Sequence, residues 1–147
     1  TLPRLKSRVR IPSPAPKKFM KKIILLLSLL SFPCWGEWVP VSKNSQGDTT
    51  YFDNKSLLVN GPYLQYWELS DYKNHNQYGY ISTKIFKQVN CNSTIFQTLR
   101  FISFTKPMGK GEIIKDYNPN EKLVTAAWGS SNYHSLRAAC ESVKKVQ

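Results

Sequence analysis

Between Trp38 and Thr105 the chain alternates apolar and polar positions in short runs separated by turn residues, a pattern that predicts β-strands. Trp38-Val39-Pro40-Val41 opens the series, and Asn44 to Asp48 is a turn signal. Thr49-Thr50-Tyr51-Phe52 follows, then a turn at Asp53–Ser56 and a short strand or turn at Ser56–Val59, broken again by Asn60-Gly61-Pro62. In Tyr63–Leu69, Leu64, Tyr66 and Glu68 fall on one side and Tyr63, Gln65, Trp67 and Leu69 on the other; the second set is the more apolar and is expected to face the core. Tyr80 to Cys91 alternates longest. Ile81, Thr83, Ile85, Lys87, Val89 and Cys91 share one face, so Cys91 ends the strand in phase with its apolar side. Thr98–Thr105 is apolar on both sides, as a central strand should be. Lys106–Gly111 reads as a loop, Ile113-Ile114 as a brief pairing, and Thr125–Trp128 is too short to assign.

The period then changes. Tyr133, Leu136, Cys140 and Val143 recur at three- and four-residue steps and form one helical stripe. Ser131 or Asn132 is placed to cap the start, and Lys144 and Lys145 suit the last turn. Strands followed by one amphipathic helix imply an α+β fold: an antiparallel sheet of about five to six strands with a C-terminal helix packed on its core face.

The amino-terminal segment changes how the charge is read. Lys21-Lys22 precede the apolar run Ile23–Leu30, which is shorter than the about 20 residues a membrane-spanning helix needs. Basic residues, a short apolar core and small residues at Cys34 and Gly36 are the pattern of a signal peptide over 20–36, cut after Gly36. Phe32 and Pro33 occupy the places where a lipid-modified Cys34 would need small residues. Residues 1–19, rich in lysine, arginine and proline, read as a disordered extension, either a mis-set start or a long basic leader region. Residues 37–147 remain as a single domain with no transmembrane segment.

The whole chain carries a net charge of +12, which points towards nucleic acid. Residues 37–147, however, hold 13 basic against 9 acidic residues, or +4, and a nucleic-acid partner is set aside. Two cysteines remain after the leader, Cys91 and Cys140, each in phase with an apolar face. In an oxidising compartment they are expected to form a disulfide, worth roughly 4 kcal/mol in the chain-entropy model. A metal site lacks ligand spacing, since the two histidines, His75 and His134, lie in a polar loop and early in the helix. A catalytic thiol lacks a base beside it, and the carboxylates scatter over turns and strands. No catalytic, cofactor-binding or metal-binding residue is assigned, and an enzyme is not expected. The aromatics suit sheet packing; a subset, Tyr63, Tyr66, Tyr72, Tyr78 and Tyr80 beside Lys73 and Lys84, is the candidate exposed binding surface.

Several short stretches, in order, carry a resemblance: Trp38 after the expected cleavage site, Tyr51-Phe52-Asp53 before Ser56, Tyr66-Trp67-Glu68-Leu69-Ser70-Asp71-Tyr72, a strand ending in Cys91, Arg100 in the next strand, Trp128, and the helix bearing Cys140. On these the chain resembles the surface-adhesin E-like family of small exported proteins of Gram-negative bacteria. The resemblance implies an antiparallel sheet packed by a C-terminal helix with the two cysteines bridged. It implies a periplasmic, secreted or cell-surface protein that binds host matrix or serum proteins, or another envelope protein, and that can form a homodimer. The expected function is a non-enzymatic, adhesin-like protein-binding domain; the alternative is an inhibitor or accessory factor of an envelope enzyme.

Overall fold

The structure, a computed structural model, describes residues 37–145. The expected leader and the extension before it lie outside the described residues. Eight strands form one antiparallel sheet: β1 (Trp38–Lys43), β2 (Thr49–Asp53), β3 (Leu58–Asn60), β4 (Tyr63–Asp71), β5 (Ser82–Asn90), β6 (Ile95–Lys106), β7 (Lys110–Tyr117) and β8 (Val124–Thr125). The main path runs β1-β2-β4-β5-β6-β7, with β3 beside one end of β4 and β8 beside one end of β6. Among the described residues one α-helix, α1 (Ser131–Lys144), closes the domain. The expected α+β architecture is the observed one.

Register explains which residues enter the core. Phe52 pairs with Glu68, Leu64 with Val89, Tyr66 with Lys87, and Val89 with Phe96, so these side chains share one face of the sheet. The helix lies on that face over β1, β2 and β4. Its buried residues, Leu136, Ala139 and Cys140 among them, pack with Phe52, Leu64, Tyr66 and Val89 into the main core. The face of β4 is therefore opposite to the expected one. Leu64, Tyr66 and Glu68 are covered by the helix, whereas Tyr63, Gln65 and Trp67 lie on the other side with Leu69. The expectation failed at Glu68, because a carboxylate in the stripe counts as an outward residue unless its buried partners are known.

The cap lies one residue before the first of the expected ones. Ser130 accepts a hydrogen bond from the Tyr133 backbone N–H, satisfying a donor that the first turn leaves open. Asn132, the other candidate cap, turns instead to the sheet. Cys91 and Cys140 are bridged, with their Cα atoms 5.8 Å apart, tying the end of β5 to the last half of the helix.

The loop expected at 106–111 is a tight connection. A 3₁₀ turn, Pro107–Gly109, joins β6 to β7, and Met108 holds a left-handed conformation at φ 57°. Such a conformation is costly for a residue with a side chain, and neighbours hold it. The Met108 N–H donates to Asp71 Oδ1 at 2.7 Å, and the Gly109 N–H donates to Ser82 Oγ at 2.9 Å. Gly109 also has positive φ, and a side chain there would run into Lys84. The brief pairing expected at Ile113-Ile114 is in fact an eight-residue edge strand, exposed along its whole length.

Candidate functional site

Two polar or aromatic assemblies stand out on the helix-bearing face, one sealed and one open. The sealed one lies between α1 and the sheet. Lys87 Nζ reaches Glu68 Oε2 at 2.7 Å and Asn132 Oδ1 at 2.6 Å. Ser135 Oγ donates to the same carboxylate, and the Tyr66 hydroxyl sits 2.6 Å from Ser135 Oγ. Because the Ser135 hydrogen goes to Glu68, Tyr66 is the donor of that pair. The Lys87 ammonium also lies 5.1 Å from the Phe96 ring centre. Lys87 and Glu68 are only 2% and 3% exposed, so no substrate can reach them. Burial, then the charge of Glu68, pushes the Tyr66 phenol well above its ordinary value. A buried, satisfied network of this kind aligns the helix on the sheet; it offers no reacting atom to solvent.

The open assembly begins where the helix ends its cover. Phe101 pairs with Ile85 on one side and Tyr117 on the other, and Ser103 pairs with Thr83 and Lys115. These residues share the face that α1 covers further along, where the helix packs mainly on β1, β2 and β4. The β4–β5 connection adds Tyr78 and Tyr80. A ladder of rings results: Tyr78–Tyr80 stacked at 5.8 Å, Tyr80–Phe101 at 6.1 Å, and Phe101–Tyr117 at 5.4 Å. Lys115 Nζ lies 5.9 Å from the Tyr80 ring centre, and its hydrogen bond with the Tyr80 side chain raises its pKa. With Tyr72 and Asn76 these groups line a hollow of about 280 Å³. Tyr78 is 66% exposed and Tyr117 50%, so the two ends of the ladder face solvent while Tyr80 is buried at its centre.

Of the candidate binding residues read from the sequence, Tyr72, Tyr78 and Tyr80 come together. The other four do not join them. Tyr66 is wholly buried under the helix, and Tyr63 is half-buried at the far end of β4 on the other face. Lys73 lays its side chain near Gly47. Lys84 is on the opposite face, its ammonium 5.6 Å from both the Trp38 and Phe104 rings. Phe101, Lys115 and Tyr117 were missed. The available signal was pairing: Phe101 belongs to the same alternating set as Ser103, and only the β6–β7 register brings Tyr117 and Lys115 beside them. Trp128, one of the aromatics read as suited to sheet packing, is 87% exposed and stands beside Tyr133 at 6.2 Å. It lies in the turn before α1, where no strand or helix covers it.

Among the described residues no group of three or more histidine, cysteine, aspartate or glutamate side chains is arranged to hold a metal ion. The remaining charge pairs are partly to mostly exposed on both sides. Arg100 meets Asp116 at 2.7 and 2.9 Å across β6 and β7, and holds its carboxyl below the usual range. Among the described residues no helix is long and apolar enough to cross a membrane.

The fold is that of a small disulfide-linked, antiparallel-sheet domain closed by one C-terminal helix among the described residues. The chain belongs to the surface-adhesin protein E family, whose model matches residues 38–141, and it is an adhesin-like surface protein. Its structure is similar to that of Haemophilus influenzae protein E, with a TM-score of 0.53 at 14% identity over 74% of this chain and 86% of that one. Crystal form II of the same protein gives 0.52 at 14% identity, over 71% and 87%. At that identity the likeness concerns the fold. No curated protein matches the sequence.

Proposed function

We propose that this protein is a non-enzymatic, exported envelope protein that binds another protein through the ladder Tyr78–Tyr80–Phe101–Tyr117 and the Lys115 cation. The observation that carries the reading is the incomplete cover of one sheet face. α1 shields β1, β2 and β4, and the same face continues over β6 and β7 as rings whose outer members are half or more exposed. Exposed tyrosines are the residue type that protein interfaces favour, because one rigid ring supplies apolar area and a hydroxyl together. The edge strand β7 runs beside them and is exposed along its whole length. Membership of a surface-adhesin family supports export and adhesion; host matrix or serum proteins, or a second envelope protein, are the partners it suggests.

The test is affinity capture on the purified protein, using a panel of host matrix and serum proteins and detergent-solubilised envelope. A partner should be retained by the unmodified protein and lost from the Tyr78→Ser, Tyr117→Ser variant. A hot-spot ring contributes about 2 kcal/mol, so affinity should fall about 30-fold for the loss of one and up to about 700-fold for the loss of both. Retention of nothing, or retention indifferent to both substitutions, contradicts the reading.

A further inference from the structure

A second hollow adjoins the ladder, and its chemistry differs. It holds about 620 Å³ between the β1–β2 turn and the β4–β5 connection, and Tyr72, Asn76 and Tyr78 belong to both hollows. Its other walls are Gln46, Asn74, His75, Gln77 and Asp48. Side-chain amides therefore dominate the lining. Asp48 is spent on structure: Oδ1 accepts from the Lys73 N–H at 3.0 Å and Oδ2 from Asn44 at 2.9 Å. Asn76 Oδ1 likewise accepts from the Tyr78 and Tyr80 N–H groups, both at 3.0 Å, which fixes the floor of the connection and the setting of both rings. Asn74, His75 and Gln77 line the hollow, are exposed and have no such structural bond.

No lysine or arginine lines this hollow, so a phosphate, sulfate or carboxylate would find no counter-charge in its walls. No aliphatic residue lines it either, which disfavours a lipid chain. The amides of Gln46, Asn74 and Gln77 instead each present a donor and an acceptor a short distance apart, matching hydroxyls that also donate and accept. Tyr78 offers an exposed ring whose electron-rich face suits the C–H face of a pyranose. We infer that this hollow is a binding site for a neutral saccharide, with Tyr78 as the stacking platform and Asn74 and Gln77 as the hydroxyl-reading side chains. The site neighbours the protein-binding ladder and shares Tyr78 with it, but does not depend on a protein partner.

The experiment is a titration of the ¹⁵N-labelled protein followed by amide chemical shifts. The probes are glucose, galactose, N-acetylglucosamine, lactose and N,N′-diacetylchitobiose, with a heparin-derived disaccharide as the anionic contrast. At least one neutral probe should shift amides within residues 46–48 and 72–78, with a dissociation constant of about 1 mM or tighter. Asn74→Ala with Gln77→Ala should weaken that binding at least about tenfold, as should Tyr78→Ala, whereas Tyr78→Phe should keep most of it. Tyr117→Ser should leave it unchanged while reducing protein capture, which separates this site from the ladder. Absence of shifts with every neutral probe, shifts located elsewhere, or stronger binding of the anionic disaccharide in this hollow would overturn the inference.

Discussion

Lys87 carries a full charge into the contact between sheet and helix, and its consequences are those of a buried ion pair. Paired with Glu68 and bonded to Asn132, it is satisfied; alone, either charge would be stranded in a low-dielectric setting. Lys87→Met should therefore cost about 3–5 kcal/mol in urea denaturation. Glu68→Leu combined with Lys87→Met should recover about half of that loss or more, because the uncompensated charge goes with its partner. Tyr66 adds a pH dependence. Its phenol is raised in the folded protein above the ordinary 10.0 by burial and by Glu68. Below that value both states hold the proton, and the stabilisation of the neutral phenol is fully present. Above it the unfolded chain releases the proton first, so stability falls as pH rises. Tyr66→Phe should lose less stability than the unmodified protein between about pH 9 and 11, measured by denaturation midpoints. An equal slope in both would remove Tyr66 from the alkaline transition. At this scale, alternation in β5 already put Lys87 on the inward face. Glu68 was misread, because one strand does not reveal that its charge meets Lys87, Ser135 and the helix.

The connection between β6 and β7 depends on Asp71 at the end of β4. Asp71 accepts from Met108 and so holds a left-handed residue in a tight turn, while Ser82 bonds both the Lys106 carbonyl and the Gly109 N–H. Asp71→Ala should cost about 1–3 kcal/mol, the usual range for orphaning a buried hydrogen-bonding group. Hydrogen exchange should also quicken first in Lys110–Tyr117, the edge strand that this turn positions; unchanged protection there would refute the role. The disulfide acts on the opposite end of the sheet. Replacing Cys91 and Cys140 by alanine should lower stability by roughly 4 kcal/mol, as the chain-entropy model gives for a loop of this length. Strand β5, the helix and the inward phase of both cysteines were legible as repeating patterns. The full length of β7 was not, since its residues are exposed on both faces and carry no alternation that burial would impose.

Among the described residues, the single α-helix is too short to cover a sheet of this breadth, and the position of the part it leaves follows from topology. The chain places α1 over the strands at one side, and the β4–β5 connection sets Tyr78 and Tyr80 against the other. The family and the α+β fold could be read from ordered short motifs. The ladder could be read only in part, because Tyr72, Tyr78 and Tyr80 are neighbours in sequence whereas Phe101, Lys115 and Tyr117 join them through register. Hydroxyl-radical footprinting of the protein with its captured partner tests the binding face most directly. Tyr78 and Tyr117 should be protected at least several-fold on complex formation, with the exposed Trp128 unchanged. Protection of Trp128 with Tyr78 and Tyr117 still fully reactive would contradict the ladder as the binding surface.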